Sequence, residues 1–247
     1  TAAMKHIAIC EDNPFDAVKT NVIGTSNILE ASIIEEVKKF VFISTDKATN
    51  PTSTLGGSKL LAERLTLDAG TYAGKGKTKF AIVRFGNVLG SRGSVFQIFQ
   101  NQIKMKKPLT VTDKRMTRYI MSISEAASMI LKVTKILEGG EIYILKMPSV
   151  RIEDLAKGII HVYGLRFPDY RNTSSLKITK PRGERFHELL ITNEEKLFCH
   201  DIGDMYKISK TENKKQLPYN EFSSETASRI SQSKLHKIIN ELIDEYV

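Results

Sequence analysis

Cysteine is scarce: Cys10 and Cys199 are the only two in 247 residues, far apart, with no CxxC spacing and no regular histidine partner. That excludes a disulfide scaffold, gives no reason to expect a metal site, and fits a reducing, cytoplasmic setting. Long apolar runs are absent as well. No stretch of about 18 or more apolar residues occurs, so no segment reads as a membrane-spanning helix, and the start lacks the charged and apolar regions of a signal peptide. Internal repeats are also lacking. The net charge of +9 has no aromatic company: the densest lysine groups, Lys104, Lys106, Lys107 and Lys214, Lys215, lack the interleaved rings of a strand-binding surface. No nucleic-acid partner is therefore expected.

What is present is a 41% apolar chain, long enough for a real core in one or two domains. Asn13-Pro14 opens a helix, after which Ala17, Val18, Val22, Thr25, Ile28 and Leu29 recur at helical spacing. Phe40-Val41-Phe42-Ile43-Ser44 is a continuous apolar run that predicts a strand buried on both faces of a parallel sheet. A helix from near Gly57 carries Leu60, Leu61, Leu65 and Leu67, and Phe80 to Phe85 predicts the next strand. Further on, the pattern predicts a helix from about Val95, a short strand over Leu109 to Thr112, a helix from Ser124 to about Leu137 and a strand from Glu141 to Leu145. A helical stripe over Ile152 to Ile160, a strand at Leu176 to Ile178 and a helix from Ser233 to Tyr246 complete it. This alternation predicts an α/β fold, a Rossmann-like doubly wound parallel sheet with a smaller C-terminal lobe.

In open α/β sheets ligands bind beyond the carboxyl ends of the strands, where Thr45-Asp46-Lys47 and Gly86-Asn87 fall. The Gly/Ser-rich loop Gly90-Ser91-Arg92-Gly93-Ser94 leads into a helix, so its N–H groups and Arg92 can face a phosphate. An ordinary flexible turn is the plainer alternative. Likewise, Asp46 and Lys47 taken alone read as an exposed ion pair, and Lys59 as a solvated helix lysine.

The ordered set Asn13-Pro14-Phe15, Thr20-Asn21-Val22, Ser44-Thr45-Asp46-Lys47-Ala48, Gly56-Gly57-Ser58-Lys59 and Val83-Arg84-Phe85-Gly86-Asn87-Val88 continues with three more motifs. These are Gly90 to Val95, Met116-Thr117-Arg118-Tyr119 and Gly183-Glu184-Arg185-Phe186-His187-Glu188. Each is weak, but together they resemble the polysaccharide-biosynthesis (CapD-like) family of extended short-chain dehydrogenases, whose members include UDP-N-acetylglucosamine 4,6-dehydratases.

The resemblance implies hydride removal from sugar C4 to NADP, with NAD the alternative cofactor. Loss of water across C5–C6 and return of the hydride to C6 would follow, giving a 4-keto-6-deoxy sugar still attached to UDP. It assigns the C5 base to Lys47 and the C6 acid to Asp46, with Thr45 and Lys59 completing the catalytic set. The NADP side would comprise Thr1, Lys5, Ile43, Ser44, Lys59 and Val88. The UDP-sugar side would comprise Asn87, Arg92, Gly93, Ser94, Val95, Phe96, Leu109, Thr112 and Arg182, with Arg92 and Arg182 neutralising the diphosphate. Glu184 and His187 would orient that pocket, His187 as a satisfied histidine rather than a proton carrier. Asn21 is expected to be structural, and a homo-oligomer is expected.

The sequence departs from the family at Leu55, four residues before Lys59, where soluble relatives carry Tyr and membrane-attached ones often Met. Leucine exchanges no proton, which moves acid–base work to Asp46, Lys47 or water; tyrosine at 55 is expected to be tolerated or activating. No Gly-rich strand-turn-helix stands at the start, so about three strand-helix units are expected to precede Thr1, and the chain as given is expected to be inactive by itself. The expected division is residues 1–108 as the remainder of the NADP domain, 109–208 as a substrate lobe with segments returning to the main domain, and 209–247 as a C-terminal extension. Two rival functions stay open: a UDP-sugar 4-epimerase, which Asp46-Lys47 disfavours, and a noncatalytic nucleotide-sugar sensor, which Leu55 suggests.

Overall fold

The computed structural model describes residues 3–73, 78–170, 176–178, 185–211, 213, 217 and 222–246. They fall into two compact units, each assembled from three stretches of chain. The first takes Thr1–Gly86, Ala126–Lys146 and Leu189–Phe222; the second takes Asn87–Glu125, Met147–Glu188 and Ser223–Val247. The first break thus comes at Gly86–Asn87, not at residue 108, because Asn87 and Val88 pair with a strand of the second unit. The expected C-terminal extension is likewise divided after Phe222.

The first unit opens with α1 (Ile7–Asp12), α2 (Pro14–Val18), a π-helical turn at Lys19–Ile23 and α3 (Gly24–Ile34). Pro14 occupies the first position of α2, where a missing N–H costs nothing. Of the predicted stripe, Ala17 and Leu29 are buried, whereas Val18 and Ile28 are exposed. Asn21 is tied into the fold by its side chain. It is 2% exposed, accepts the Met4 N–H at 2.9 Å and donates to the Met4 carbonyl and Ser58 Oγ, both at 3.0 Å.

Five strands form its sheet, in the order β1 (Lys39–Thr45), β2 (Lys79–Phe85), β6 (Glu141–Leu145), β10 (Met205–Ile208) and β9 (Cys199–Asp201). The first three run parallel; β10 is antiparallel to both neighbours. β2 is buried throughout Phe80–Phe85. β1 corrects the expectation of full burial: Phe42 and Ser44 point inward while Val41, Ile43 and Thr45 keep partial exposure. Its only strand partner among the described residues is β2, and a run of apolar residues does not by itself report how many neighbours a strand has. α4 (Thr54–Tyr72) follows, and the Ser53 side chain caps it by accepting the Gly56 N–H, a contact worth about 1 kcal/mol.

The second unit packs α5 (Val95–Lys104), α7 (Ile152–Arg166) and α8 (Gln232–Tyr246) against two small sheets. One pairs β3 (Asn87–Val88), β5 (Thr117–Met121) and β7 (Ser149–Arg151); the other pairs β4 (Leu109–Val111) with β8 (Leu176–Ile178). Phe96, Phe99, Leu155, Ile159, Ile239 and Ile243 are at most 1% exposed, each contributing roughly 1.5–3 kcal/mol by burial. α7 lies close to α8 at Gly158, where an added Cβ would stand 3.2 Å from the Ile239 side chain. The remaining helix, α6 (Ile123–Ile136), has its final carbonyls at Thr134 and Lys135 taken by the Lys39 ammonium, a favourable charge at a helix C-terminus. Among the described residues no helix is long and apolar enough to cross a membrane.

Candidate active site

β1 ends by running into a single 3-10 turn, Asp46–Ala48, and this brings three candidate residues together. Thr45 caps the turn through its hydroxyl oxygen, which accepts the Lys47 N–H, and donates its own hydrogen to Asp46 Oδ1 at 2.9 Å. Lys47 Nζ donates to the same oxygen at 3.0 Å. Asp46 is 1% exposed, whereas the Lys47 side chain keeps 23% of its surface. This is a half-buried pair rather than the solvated surface pair that the residues alone suggest. Its carboxylate is withdrawn from water, while the lysine side chain keeps partial contact with it.

The turn is held in place by α4. A Cβ added at Gly56 would lie 2.4 Å from the Lys47 carbonyl oxygen and 3.0 Å from Pro51 Cβ, so α4 abuts the main chain of this turn at a position only glycine fits. One helical turn on, Lys59 reaches back to β1. Its Nζ donates to the Ile43 carbonyl at 3.1 Å and lies 4.8 Å from the centre of the Phe42 ring. Burial lowers the Lys59 pKa, and the nearby Glu63 carboxylate opposes that shift. Lys59 is therefore anchored beside the strand end. Leu55 is 3% exposed and packs in an apolar cluster with Cys10 and Ala17. That packing weighs against the expectation that a tyrosine is readily accepted there, since the larger ring needs room beside Cys10 and Ala17.

Beneath these residues lies a buried ionic network that sequence reasoning missed. Arg84, 1% exposed on β2, grips Glu63 through Nε at 3.1 Å and Nη2 at 2.8 Å. It also meets both oxygens of Glu195, at 3.0 and 2.9 Å, and the Leu190 carbonyl at 2.8 Å. Burial alone would discourage its charge, but Glu63 and Glu195 hold it protonated. Ser44 Oγ donates to Glu63 at 2.5 Å, so its hydrogen is committed inside the protein and its side chain can serve a ligand only as acceptor. The sequence did carry one signal: an arginine within the apolar run Phe80–Phe85 requires buried acidic partners.

The remaining candidates divide by unit. Lys5 is exposed in the first unit, next to the clamped Met4. Asn87, Val88, Arg92 to Phe96, Leu109 and Thr112 belong to the second, so Val88 is not in the same unit as the other cofactor candidates. Phe96 and Leu109 are fully buried in that unit's core, which leaves only their main chain for ligand contact. In the Gly/Ser loop the N–H groups of Ser91 and Ser94 bond to the carbonyls of Val88 and Ser91, and Gly93 donates to Gln97 Oε1. These three donors are engaged within the loop, weakening its reading as a phosphate cradle. The Arg92 side chain is exposed. Gly90, at φ +78°, presses on α8, where a Cβ would fall 2.3 Å from Leu242 Cδ2. Thr1, Arg182 and Glu184 lie outside the described residues.

His187 Nδ1 is 2.9 Å from Thr117 Oγ1, which in turn is 2.7 Å from Ser224 Oγ. Nδ1 of His187 is thus engaged within the second unit. Its neighbour Glu188 is 4% exposed and takes Asn87 Nδ2 at 2.9 Å and the Tyr119 N–H at 3.3 Å on one oxygen. Its other oxygen is 3.4 Å from Arg118 Nε.

Comparison with known proteins places these features in context. Residues 1–210 match a family described as polysaccharide biosynthesis protein. The chain is 46% identical over 247 residues to an uncharacterized membrane protein of Methanocaldococcus jannaschii, covering 98% of this chain and 73% of that one. It is 38% identical over 209 residues to an inverting UDP-N-acetylglucosamine 4,6-dehydratase of Campylobacter jejuni, covering 84% and 60%. At 37% identity over 211 residues, a UDP-glucose 4-epimerase of Rickettsia felis is covered to a similar extent, 84% and 59%. The chain thus spans about three fifths of the length of these last two relatives. Among solved structures, Pen from Bacillus thuringiensis superposes with a TM-score of 0.89 at 38% identity, covering 98% of this chain and 74% of that one.

Proposed function

The chain belongs to the polysaccharide biosynthesis protein family, and on that premise we propose that the intact protein is a nucleotide-sugar 4,6-dehydratase acting on a UDP-N-acetylglucosamine-like substrate with NADP. The observation that carries this reading is the 3.0 Å hydrogen bond from Lys47 Nζ to the buried Asp46 carboxylate. Elimination needs a neutral amine to take the C5 proton and a protonated carboxyl to release the C6 hydroxyl as water. A single proton shift along this bond, from Nζ to Oδ1, creates both forms at once without changing the pair's net charge. In water the ionic form wins; closing the site around substrate removes the solvent that favours it. Lys47 then takes the C5 proton, Asp46 gives its proton to the departing hydroxyl, and the ion pair is restored. The elimination therefore needs no proton from bulk solvent.

A nicotinamide cofactor, when bound, supplies reversible acceptance of hydride from the sugar. The residues of the first unit suit its ribose end. Lys59 uses one of its ammonium hydrogens on the Ile43 carbonyl and has two more for ribose hydroxyls, while Ser44 offers only acceptor lone pairs. Leu55 gives no proton, so removal of the O4 hydrogen falls to the Thr45-Asp46-Lys47 group or to water. For the cofactor's diphosphate this sequence contains no Gly-rich strand-turn-helix.

The epimerase reading is kept because the Rickettsia relative matches as well as the Campylobacter one. An epimerase returns hydride to C4 and has no use for an acid–base pair at C5 and C6. Mass spectrometry of UDP-N-acetylglucosamine incubated with NADP and the natural full-length protein decides between them. Loss of one water supports dehydration, unchanged mass with a C4 epimer supports epimerisation, and binding without conversion supports the sensor.

A further inference from the structure

α4 grips two consecutive residues of β1 from positions one helical turn apart. Lys59 Nζ donates to the Ile43 carbonyl at 3.1 Å, and the Ser44 hydroxyl donates to Glu63 Oε1 at 2.5 Å. The Glu63 carboxylate is fixed from behind as well. Glu63 and Ser44 are both at most 4% exposed, and the buried Arg84 meets each carboxylate oxygen of Glu63. Breaking away would leave Arg84 short of a partner in the interior, so Glu63 stays where α4 puts it, four residues beyond Lys59 and on the same helix face. Lys59 is half-buried. Burial works against its charge, and the opposing influence comes from Glu63. Other elements packed on α4 bring further charges: Arg84 on β2, the Asp46–Lys47 pair after β1, and Glu11 on α1, which takes the Thr54 N–H. Asp16, Lys19 and Glu30, on α2, the π-helical turn and α3, are exposed. Of these charges it is Glu63 that bears on Lys59.

We propose that Glu63 is a positioning residue for cofactor binding: it is the fixed counter-charge that keeps the Lys59 ammonium aligned on the Ile43 carbonyl, ready for the anionic dinucleotide. Arg84 needs only one carboxylate for balance but holds two, Glu63 and Glu195. Lys59 is the second cation that brings these four groups to neutrality. An ammonium makes hydrogen bonds roughly twice as strong as a neutral donor does, so the cofactor feels whether that counter-charge is present. The inference rests on the reading that Lys59 serves the cofactor.

NADP affinity of the natural full-length protein, followed from about pH 7 to about pH 9.5 with thermal melting as the check on folding, tests the pairing. Glu63→Gln is expected to weaken binding as pH rises, losing about tenfold more across this range than the parent does, because a lysine without its counter-charge gives up its proton earlier. A folded Glu63→Gln whose profile runs parallel to the parent's overturns the inference. In a Lys59→Arg background the guanidinium keeps its charge unaided, and the same substitution is expected to add no pH dependence. An equally steep loss there would mean that Glu63 acts on another group, which also overturns it. Glu63→Asp carries the test if Glu63→Gln does not fold. It keeps the charge, so its profile is expected to follow the parent's whatever its melting temperature; an alkaline loss in folded Glu63→Asp overturns the assignment. Lys59→Met separates the inference from the reading beneath it. If that variant binds NADP like the parent across the range, Lys59 is not at the cofactor, and that reading fails whatever Glu63 does.

Discussion

Gly56 and the Lys47 carbonyl oxygen are so close that one added methyl group would stand 2.4 Å from that oxygen. The helix carrying Lys59 and the turn carrying Asp46 and Lys47 are thereby locked at a separation that any side chain at position 56 would widen. The neighbouring Gly57 has nothing within 4 Å of its notional Cβ. Two adjacent glycines in one helix thus have opposite roles: one permits a close approach, and the other only weakens the helix.

These two positions give a matched pair of substitutions. Gly56→Ala is expected to cost about 1–3 kcal/mol through overpacking and to lower turnover by more than about tenfold, since small misplacements of reacting groups are expensive. Gly57→Ala is expected to leave turnover intact and to raise stability by up to about 1 kcal/mol. Melting temperature and kcat for both variants check this. Equal behaviour of the two would mean that the close contact does not control the turn.

The proposed proton shift between Lys47 and Asp46 predicts that each is needed for elimination and neither for binding the nucleotide. Lys47→Ala and Asp46→Asn are expected to bind UDP-N-acetylglucosamine near the parental affinity and to lose about 10²–10⁴-fold in formation of the 4-keto-6-deoxy product, the range for a missing acid or base. Product formation at the parental rate by Lys47→Ala would remove Lys47 as the C5 base. Parental turnover by Asp46→Asn would equally remove Asp46 as the acid, because an amide cannot release that proton.

Much of the first unit is legible from its sequence because its signals are local. The run Phe80–Phe85 is a buried strand, Pro14 opens a helix, and Thr45-Asp46-Lys47 falls at a strand end, all within windows of a few residues. The parts that escape are joined across long distances. β5, β7, β9 and β10 are three to five residues each, too short for periodicity, and they exist because partners remote in sequence complete them. Asn87 and Glu188 are 101 positions apart, Arg84 and Glu195 111. Motif order gathers the candidate residues, but only the fold reveals that Ser44 has committed its hydrogen to Glu63 and that Asn87 Nδ2 donates to Glu188.

Leu55 offers a test in which family pattern and packing disagree. Its cluster with Cys10 and Ala17, 0% exposed both, has no provision for a phenol. Leu55→Tyr is therefore expected to lower stability by about 1–3 kcal/mol, with any gain in proton transfer visible only in the fraction that stays folded. Denaturant unfolding checks this, and an unchanged midpoint would mean that α1 and α2 yield to the ring.

The Arg84 network makes a prediction with a definite pH sign. Burial works to raise the Glu195 pKa, but Arg84, through its charge and hydrogen bonds, and Thr192 outweigh it and leave the carboxyl below its ordinary value. A carboxylate depressed in the folded state stabilises the protein above its unfolded pKa, about 4.3, and that stabilisation is lost as pH falls through the lower folded pKa. Replacing Glu195 by Gln is expected to lower the melting temperature near neutral pH, where Arg84 loses one of its two carboxylates, and to flatten the decline seen on acidification below about pH 4.3. Arg84→Met should cost more, roughly 3–5 kcal/mol, because it strands two carboxylates in the interior. Melting temperatures across that range for the parent and both variants are the measurement. If the Glu195→Gln curve runs parallel to the parent's, Glu195 is not coupled to folding, and the network contributes packing alone.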